Sequence, residues 1–527
     1  MDPSELLEAI RRTPNRGLVH LFLGTPCSEG RDKTTVEPGN AYSPGVWTCG
    51  ISLWVECQEQ LATPDRMAPQ AIDWRLILPE RKALADEPLS LDGQPGLGAD
   101  GLPAVEATWQ AGEVRVRHRL GYIQNEQARG VDVNHVCLTS EGAATRATCH
   151  IVVRDEGPAG ARISEMCWDG STRSLRVDAT VELIVESDDV RCRIVPPDAE
   201  HDSPLAIITL EVDLQAGQPS DLFFRTVHTA KWPYDEAVRR ASPKPFLVSE
   251  GFEQLRRQWP EMLPARVFAP DPRIGAVWQR CAYHILAAME QNLPRIGAVN
   301  YPVYWIRDCV IVNRALDLMG RHDLARCSND YLAPMIFAGG FGAEADAPGE
   351  GIWSLVSHAM MTTDGPWLER VFPDVRRRVE WLDRMLHAAA PIRALSENRI
   401  PFYTMHPGVG IVCGAARDGL IHGRMDWHCP HFYINCWAVA GYRLAAWAAG
   451  QLDRATLAQE WSEKAKRLAA AVRDRLLAQY GDPRDPAVAP WPSGAFAADA
   501  DLLRGPFDNW YCANRLTEDG RRTPEPL

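Results

Sequence analysis

Apolar and polar residues alternate with period two through the first part of the chain. Val114-Arg-Val-Arg-His-Arg-Leu120 alternates with His118 on the apolar side. Leu175–Val185 alternates apart from Ile184, and Leu205–Leu214 gives another clear strand. Cys149–Arg154 and Asp221–Val227 add two more, with Gly, Pro, Asp and Asn clusters between the runs. Period two without an intervening helical pattern predicts an antiparallel β-sandwich whose outer faces carry interleaved acids and bases. After about residue 230 the pattern changes. Tyr234–Arg240 and Glu250–Pro260 read as a connecting segment with helical stretches. From Asp271 the period is helical, over Ile274–Gln291, Cys309–Met319, His322–Phe337, Gly351–Met361 and Trp367–His387. Ala388–Pro430 reads as a long irregular stretch, and helices resume over His431–Gly450 and Ala455–Tyr480.

The expected architecture is therefore a β-sandwich over residues 1–230, a helical linker over 231–270, and an α/α toroid of paired helices over 271–527. About seven helices fit into that last part. A chain of 527 residues exceeds what one hydrophobic core supports, so more than one domain is required. Net charge of -13 argues against a nucleic-acid partner, which would select a basic face. The charged N-terminal stretch lacks the apolar region of a signal peptide, and no apolar run is long enough for a transmembrane helix. The 14 cysteines are scattered, without Cys-x-x-Cys pairs or zinc spacing, and read as reduced thiols of a cytoplasmic protein.

Three segments concentrate polar and aromatic groups. The first is Tyr301-Pro-Val-Tyr-Trp-Ile-Arg-Asp308, at a helix start. Arg307 and Asp308 can donate to and accept from a polyol, while Tyr304 and Trp305 offer flat apolar surface. The same residues also fit a capped helix with core aromatics and a surface ion pair. The second is the glycine-rich Gly339–Trp353, which holds Glu344, Asp346 and Glu350 just before a helix. It suits close approach of a ligand to the backbone, or a surface loop with helix-start acids. The acids could hold calcium, but the spacing of an EF-hand is missing.

The third is Arg417–His431, with Asp418, Asp426, Trp427, His422, His428 and His431. No pair of these histidines has the spacing of a zinc helix. Asp426 beside Trp427 fits a proton donor whose pKa is raised by an apolar wall, or a plain salt-bridge carboxylate. Asp418, before Gly419, is a second catalytic candidate or a turn residue. Glycoside hydrolysis needs two carboxyl groups flanking one bond, and no base as convincing as Asp426 is present. No metal and no cofactor is implied.

With these elements in place the chain resembles the six-hairpin glycosidases, the (α/α)6-barrel glycoside hydrolases that include glucoamylases, glucodextranases, trehalase-like enzymes and debranching glucosidases. Tyr304–Asp308 is similar to their Trp-x-Arg-Asp element. Glu344–Trp353 takes the place of a pocket loop. Asp418–Ile421, Met425–Trp427 and Tyr433–Trp437 resemble the run before the sixth helix. The resemblance implies sugar contacts from Tyr304, Trp305, Arg307, Asp308, Glu344, Asp346, Glu350, Trp353 and Trp427. It also implies a general-acid role for Asp426, an inverting mechanism and an α-linked glucoside or related oligosaccharide as substrate. The family barrel has twelve helices and carries its base near the last of them, so the expectation is an incomplete toroid from a longer reading frame, its base outside this chain. A non-hydrolytic carbohydrate-binding protein, and a sugar epimerase or lyase on the same toroid, are the alternatives. The oligomeric state is open.

Overall fold

A computed structural model of the chain describes residues 2–13, 21–28, 32–36, 41–45, 48–63, 96–97, 102–124, 130–155, 162–178, 180–228, 247–297, 304–338, 342–397, 409–425, 429 and 431–480. The chain divides into two compact units, Met1–Gln291 and Asn292–Leu527.

The first unit opens with helix α1 (Pro3–Arg12), whose start is capped by the Asp2 carboxylate accepting from the Ser4 N–H at 2.7 Å. Strands follow as β1 (Leu21–Leu23), β2 (Thr34–Val36), β3 (Tyr42–Ser43), β4 (Gly50–Cys57), β5 (Gln60–Ala62), β6 (Gly96–Leu97), β7 (Ala104–Ala111) and β8 (Val114–Gln124). Then come β9 (Gly130–Ser140), β10 (Thr145–Arg154), β11 (Met166–Asp169), β12 (Ser174–Val177), β13 (Val181–Val185), β14 (Val190–Val195), β15 (Leu205–Leu214) and β16 (Pro219–His228). Helices α2 (Val248–Met262) and α3 (Pro272–Ala288) close the unit.

Among the described residues these strands form two eight-stranded antiparallel sheets. The first runs β1-β2-β3-β4-β10-β15-β14 with β5 on β4, and the second runs β11-β12-β13-β16-β9-β8-β7-β6. Alternation explains both: Val114, Val116, His118 and Leu120 are buried while Arg115 and Arg117 are exposed. One core draws Ile51, Leu53, Ile151 and Ile208 from the first sheet and Val116, Leu138, Leu183 and Phe224 from the second. Leu6 and Ile10 of α1 pack with Trp54, Val152 and Ile207, positions of the first sheet outside that core.

Leu175–Val185, expected as one strand, is a hairpin instead. β12 and β13 pair antiparallel, with Asp178 at φ 47° in the turn. Its carboxylate accepts from the Ser164 and Glu165 N–H groups, which reward the turn over a continuous strand. Helix α3 also departs from expectation. Its helical period placed it with the later helices, yet it belongs to the first unit. Buried Lys33 donates to the Ala287 carbonyl at 2.5 Å, and Trp259 meets Tyr283 edge-on at 4.4 Å.

Two polar networks are buried in this unit. His118 donates to Asn134, Asn134 donates to the Tyr42 hydroxyl, and that hydroxyl shares a hydrogen bond with Thr226. Burial lowers the His118 pKa to about 4, so the imidazole is neutral. In the second network His228 donates from Nδ1 to Asp32 at 2.9 Å and from Nε2 to Asp132 at 3.0 Å. Burial works against its charge, but Asp132 and then Asp32 outweigh burial and raise the pKa to about 10.

The second unit contains α4 (Ile306–Leu318), α5 (His322–Leu332), α6 (Ala347–Thr362), α7 (Gly365–Leu386), the hairpin β17 (Ile392–Leu395) and β18 (Val409–Cys413), α8 (His431–Gln451) and α9 (Ala455–Tyr480). α6 packs between α4 and α8; α5 packs on α4 and α6, α7 on α6 and α8, and α9 along α8. α6 is buried from Ala347 through Ala359, which its apolar sequence allows. It approaches α8 so closely that a Cβ on Gly349 would stand 2.5 Å from the Trp437 carbonyl oxygen. Buried Arg378 of α7 donates to the carbonyls of Leu332 and Ala333, closing the C-terminus of α5.

The stretch expected to be irregular between α7 and α8 holds the β17–β18 hairpin, extended by a bridge from Cys413 to Gly423. Its strands are too short for a period to stand out in the sequence. No helix among the described residues is long and apolar enough to cross a membrane.

Candidate active site

The first turns of α4, α6 and α8 supply one polar cluster. Arg307 is the second residue of α4, and Glu344 and Asp346 lie just ahead of α6. Glu350 lies in the first turn of α6 and Tyr433 in that of α8. Arg307 Nε donates to Asp346 Oδ2 at 2.9 Å, and Nη2 donates to Glu344 Oε2 at 2.5 Å. Trp305 Nε1 donates to the same Glu344 oxygen at 3.4 Å. Tyr433 donates its hydroxyl hydrogen to Glu350 Oε1 at 3.1 Å. The three acids are 3%, 1% and 0% exposed, so the cluster is desolvated. The Arg307 side chain keeps 20% of its exposure, and Tyr433 is also only partly buried.

The local chain folds this way because the second and third loops bind each other. Arg424 N–H donates to the Val412 carbonyl, and the Arg424 carbonyl accepts from Ala345 N–H at 2.9 Å. The Arg424 guanidinium donates to the Ile411 and Ala343 carbonyls. A Cβ on Gly342 would stand 2.6 Å from Arg424 Nη2, so glycine leaves room for that guanidinium. Asn435 donates to the Ile421 carbonyl and accepts from its N–H, tying the same loop to α8.

Electrostatics follow from burial. Burial opposes the charge on Arg307, but Asp346, Glu344 and Glu350 together hold it firmly cationic. Burial, reinforced by Asp346, holds the Glu350 carboxyl well above the usual carboxylate range; Arg307 opposes this without reversing it. Burial thus favours the protonated form of Glu350. Burial and then Glu350 keep Tyr433 a phenol. One guanidinium thus faces three buried acidic side chains. Asp346 Oδ1 and Glu350 Oε2 are buried without a hydrogen-bond partner among the described residues.

The remaining expected residues are distributed as follows. Tyr304 is fully buried, shares a hydrogen bond with Ser328 and packs against Tyr331; its ring belongs to the core. Asp308 is exposed in the first turn of α4, beside Arg307 in sequence. Trp353 stands edge-on to Trp437 at 5.5 Å. It lines an open cleft of about 440 Å³ with Arg314, Ser357, Met360, Ala440 and Leu444. Asp418 sits at φ 54° in the Arg417–Leu420 turn and faces Arg475 at 3.5 Å, as a turn residue does. Asp426, Trp427 and His428 lie outside the described residues. His422 shares a hydrogen bond with the Arg417 carbonyl, and no group of acids, histidines or cysteines among the described residues has metal-site geometry. Tyr433, Arg424 and Asn435 carry roles that residue types alone did not assign; the polar groups in the first, otherwise apolar turn of α8 were the available signal.

No family model and no curated protein matches the sequence. Solved structures do resemble the chain. A bacterial glucoamylase complexed with acarbose is 11% identical, with a TM-score of 0.49 over 87% of this chain and 69% of that one. A rhamnosidase from Klebsiella oxytoca with rhamnose bound is 12% identical, with a TM-score of 0.36 over 88% and 79%. An inverting mannosidase from Bacteroides thetaiotaomicron is 10% identical, with a TM-score of 0.39 over 84% of this chain; the chain spans 61% of that protein.

Proposed function

We propose that the chain is a carbohydrate-active protein of six-hairpin glycosidase type, a β-sandwich followed by part of an (α/α)6 toroid, acting on an α-linked glucoside or related oligosaccharide. The observation that carries this reading is the cluster of Arg307, Glu344, Asp346 and Glu350 at the starts of α4 and α6, joined by Tyr433 from the start of α8.

Arg307, held in place by Glu344 and Asp346, loses little side-chain freedom when a ligand engages it. Asp308 offers an acceptor from the same turn, so the pair can read neighbouring hydroxyls of a terminal sugar. Trp305, Trp353 and Trp427 are the proposed apolar walls. Asp426 is the proposed general acid, protonating the leaving oxygen as the glycosidic bond breaks. Acidic side chains beside Arg307 suit the positive charge that develops on the sugar in an oxocarbenium-like transition state. Inversion would have a second carboxylate activate water on the opposite face of the sugar.

The test is incubation of the full chain with α-linked glucosides, following reducing sugar, unsaturated product and binding in parallel. Release of reducing sugar that disappears in Asp426→Asn supports the reading. Saturable binding without turnover would make the chain a carbohydrate-binding protein. An epimerised or unsaturated product would move it to another toroid chemistry.

A further inference from the structure

The alternating segment that starts β8 places three arginines on the outer face of the second sheet, and the function proposed above uses none of them. Arg115, Arg117 and Arg119 point away from the core formed by Val114, Val116 and His118. The ladder sets Thr108 and Cys137 beside Arg117, and Gln110 and Thr139 beside Arg115. Pro219 lies opposite Thr139 on β16. Arg115, Arg117, Thr108, Cys137, Thr139 and Pro219 line a groove of about 380 Å³ with Gly217.

The charges in this column are not balanced evenly. Arg119 faces Glu106 at 3.4 Å and lies under the Phe252 ring at 5.4 Å. Arg115 faces Glu141 at 3.5 Å, and Gln110 donates to that same acid at 2.7 Å. Arg117, between them, makes no hydrogen bond and no ion pair with any described residue. The acid across Cys137 is Asp221, and His135 engages it at 2.7 Å. The middle guanidinium thus stands unpaired at the centre of the groove, with the Thr108 and Thr139 hydroxyls beside it, on a chain of net charge -13. A guanidinium fork matches a carboxylate or sulfate in two parallel hydrogen bonds, and flanking hydroxyls match sugar hydroxyls. Arg115, the other cation lining the groove, faces Glu141, which leaves Arg117 as the anchor.

We infer that this groove is a second saccharide-binding site, specific for a sugar unit that carries an oxyanion, a uronate or a sulfated sugar, with Arg117 as its anchor. It lies wholly within the first unit and does not depend on the activity proposed for the second.

The experiment is calorimetric titration of the full chain with an oligouronate, with neutral maltotriose and with sodium sulfate, in wild type and in Arg117→Gln. The oligouronate should bind wild type with an affinity that falls as salt rises. That affinity should drop roughly tenfold or more in Arg117→Gln, the worth of a charge-assisted hydrogen bond. Arg117→Lys should recover only part of it, because the fork is lost. Maltotriose binding should not change in either variant. Equal oligouronate affinity in wild type and Arg117→Gln overturns the inference. Sulfate binding as tightly as the oligouronate would also overturn it, reducing the groove to an ion site. The exposed position makes Arg117→Gln safe for folding, and Thr139→Val gives a second reading of the same groove.

Discussion

Tyr433 donates its phenolic hydrogen to Glu350 across 3.1 Å, and so joins the first turn of α8 to the first turn of α6. The acceptor is a carboxyl group with no exposure, set among Asp346, Glu344 and Arg307. That single bond couples the helix following the Asp426 segment to the acids ahead of α6.

Because burial favours the protonated form of Glu350, Glu350→Gln should preserve the fold, with the amide oxygen still accepting from Tyr433. Glu350→Ala should cost on the order of 2–4 kcal/mol, through a cavity and an unpaired buried hydroxyl. The pH dependence has a definite sign. A carboxyl whose folded pKa is raised contributes its stability below the unfolded value near ~4.3 and loses it as pH rises toward the folded value. Glu350→Gln should therefore gain on wild type as pH rises from the carboxylate range. Melting temperatures of both proteins across pH would check this; a constant difference would refute the protonated state.

Removing the guanidinium should be worse than removing any one acid. Arg307→Ala strands Glu344 and Asp346 in a desolvated pocket, a loss of roughly 3–5 kcal/mol in denaturant unfolding. Arg307→Lys should retain more of the stability while losing sugar affinity, since an ammonium lacks the planar fork that engages Glu344 and Asp346 from two different nitrogens.

In the first unit, His228 binds Asp32 and Asp132 as a cation with its pKa raised to about 10. Its contribution is complete below the unfolded imidazole value of about 6.5 and is lost as pH climbs from there through about 10. Wild type should lose stability over that window, and His228→Ala, weaker throughout, should lack that part of the slope. Urea midpoints measured from neutral to alkaline pH separate the two.

The contact of α6 with α8 depends on a missing side chain. Gly349→Ala brings a Cβ to 2.5 Å from the Trp437 carbonyl, so the helices must part. The expected loss is about 1–3 kcal/mol. Near-ultraviolet circular dichroism should change as well, because Trp353 and Trp437 pack edge-on at that crossing.

Local patterning alone determined much of this protein. Period two marks β8 and β15, and it buries His118 as the alternation requires. Helical period and caps mark α7, α8 and α9 to within a few residues. The residue types of the candidate site, Arg307 with Glu344, Asp346 and Glu350, also stand out along the chain. These properties depend on side-chain spacing within one element, where neighbours in sequence are neighbours in space. Tertiary structure decided what spacing could not carry. It folded Leu175–Val185 back on itself, because Asp178 found N–H partners in a preceding segment. It laid the third loop along β18 and pinned the second loop with Arg424. It also turned four separately placed polar residues into one cluster in which burial raises the Glu350 pKa. Burial and charge arise from groups brought together across tens of residues, and no window along the chain contains them all.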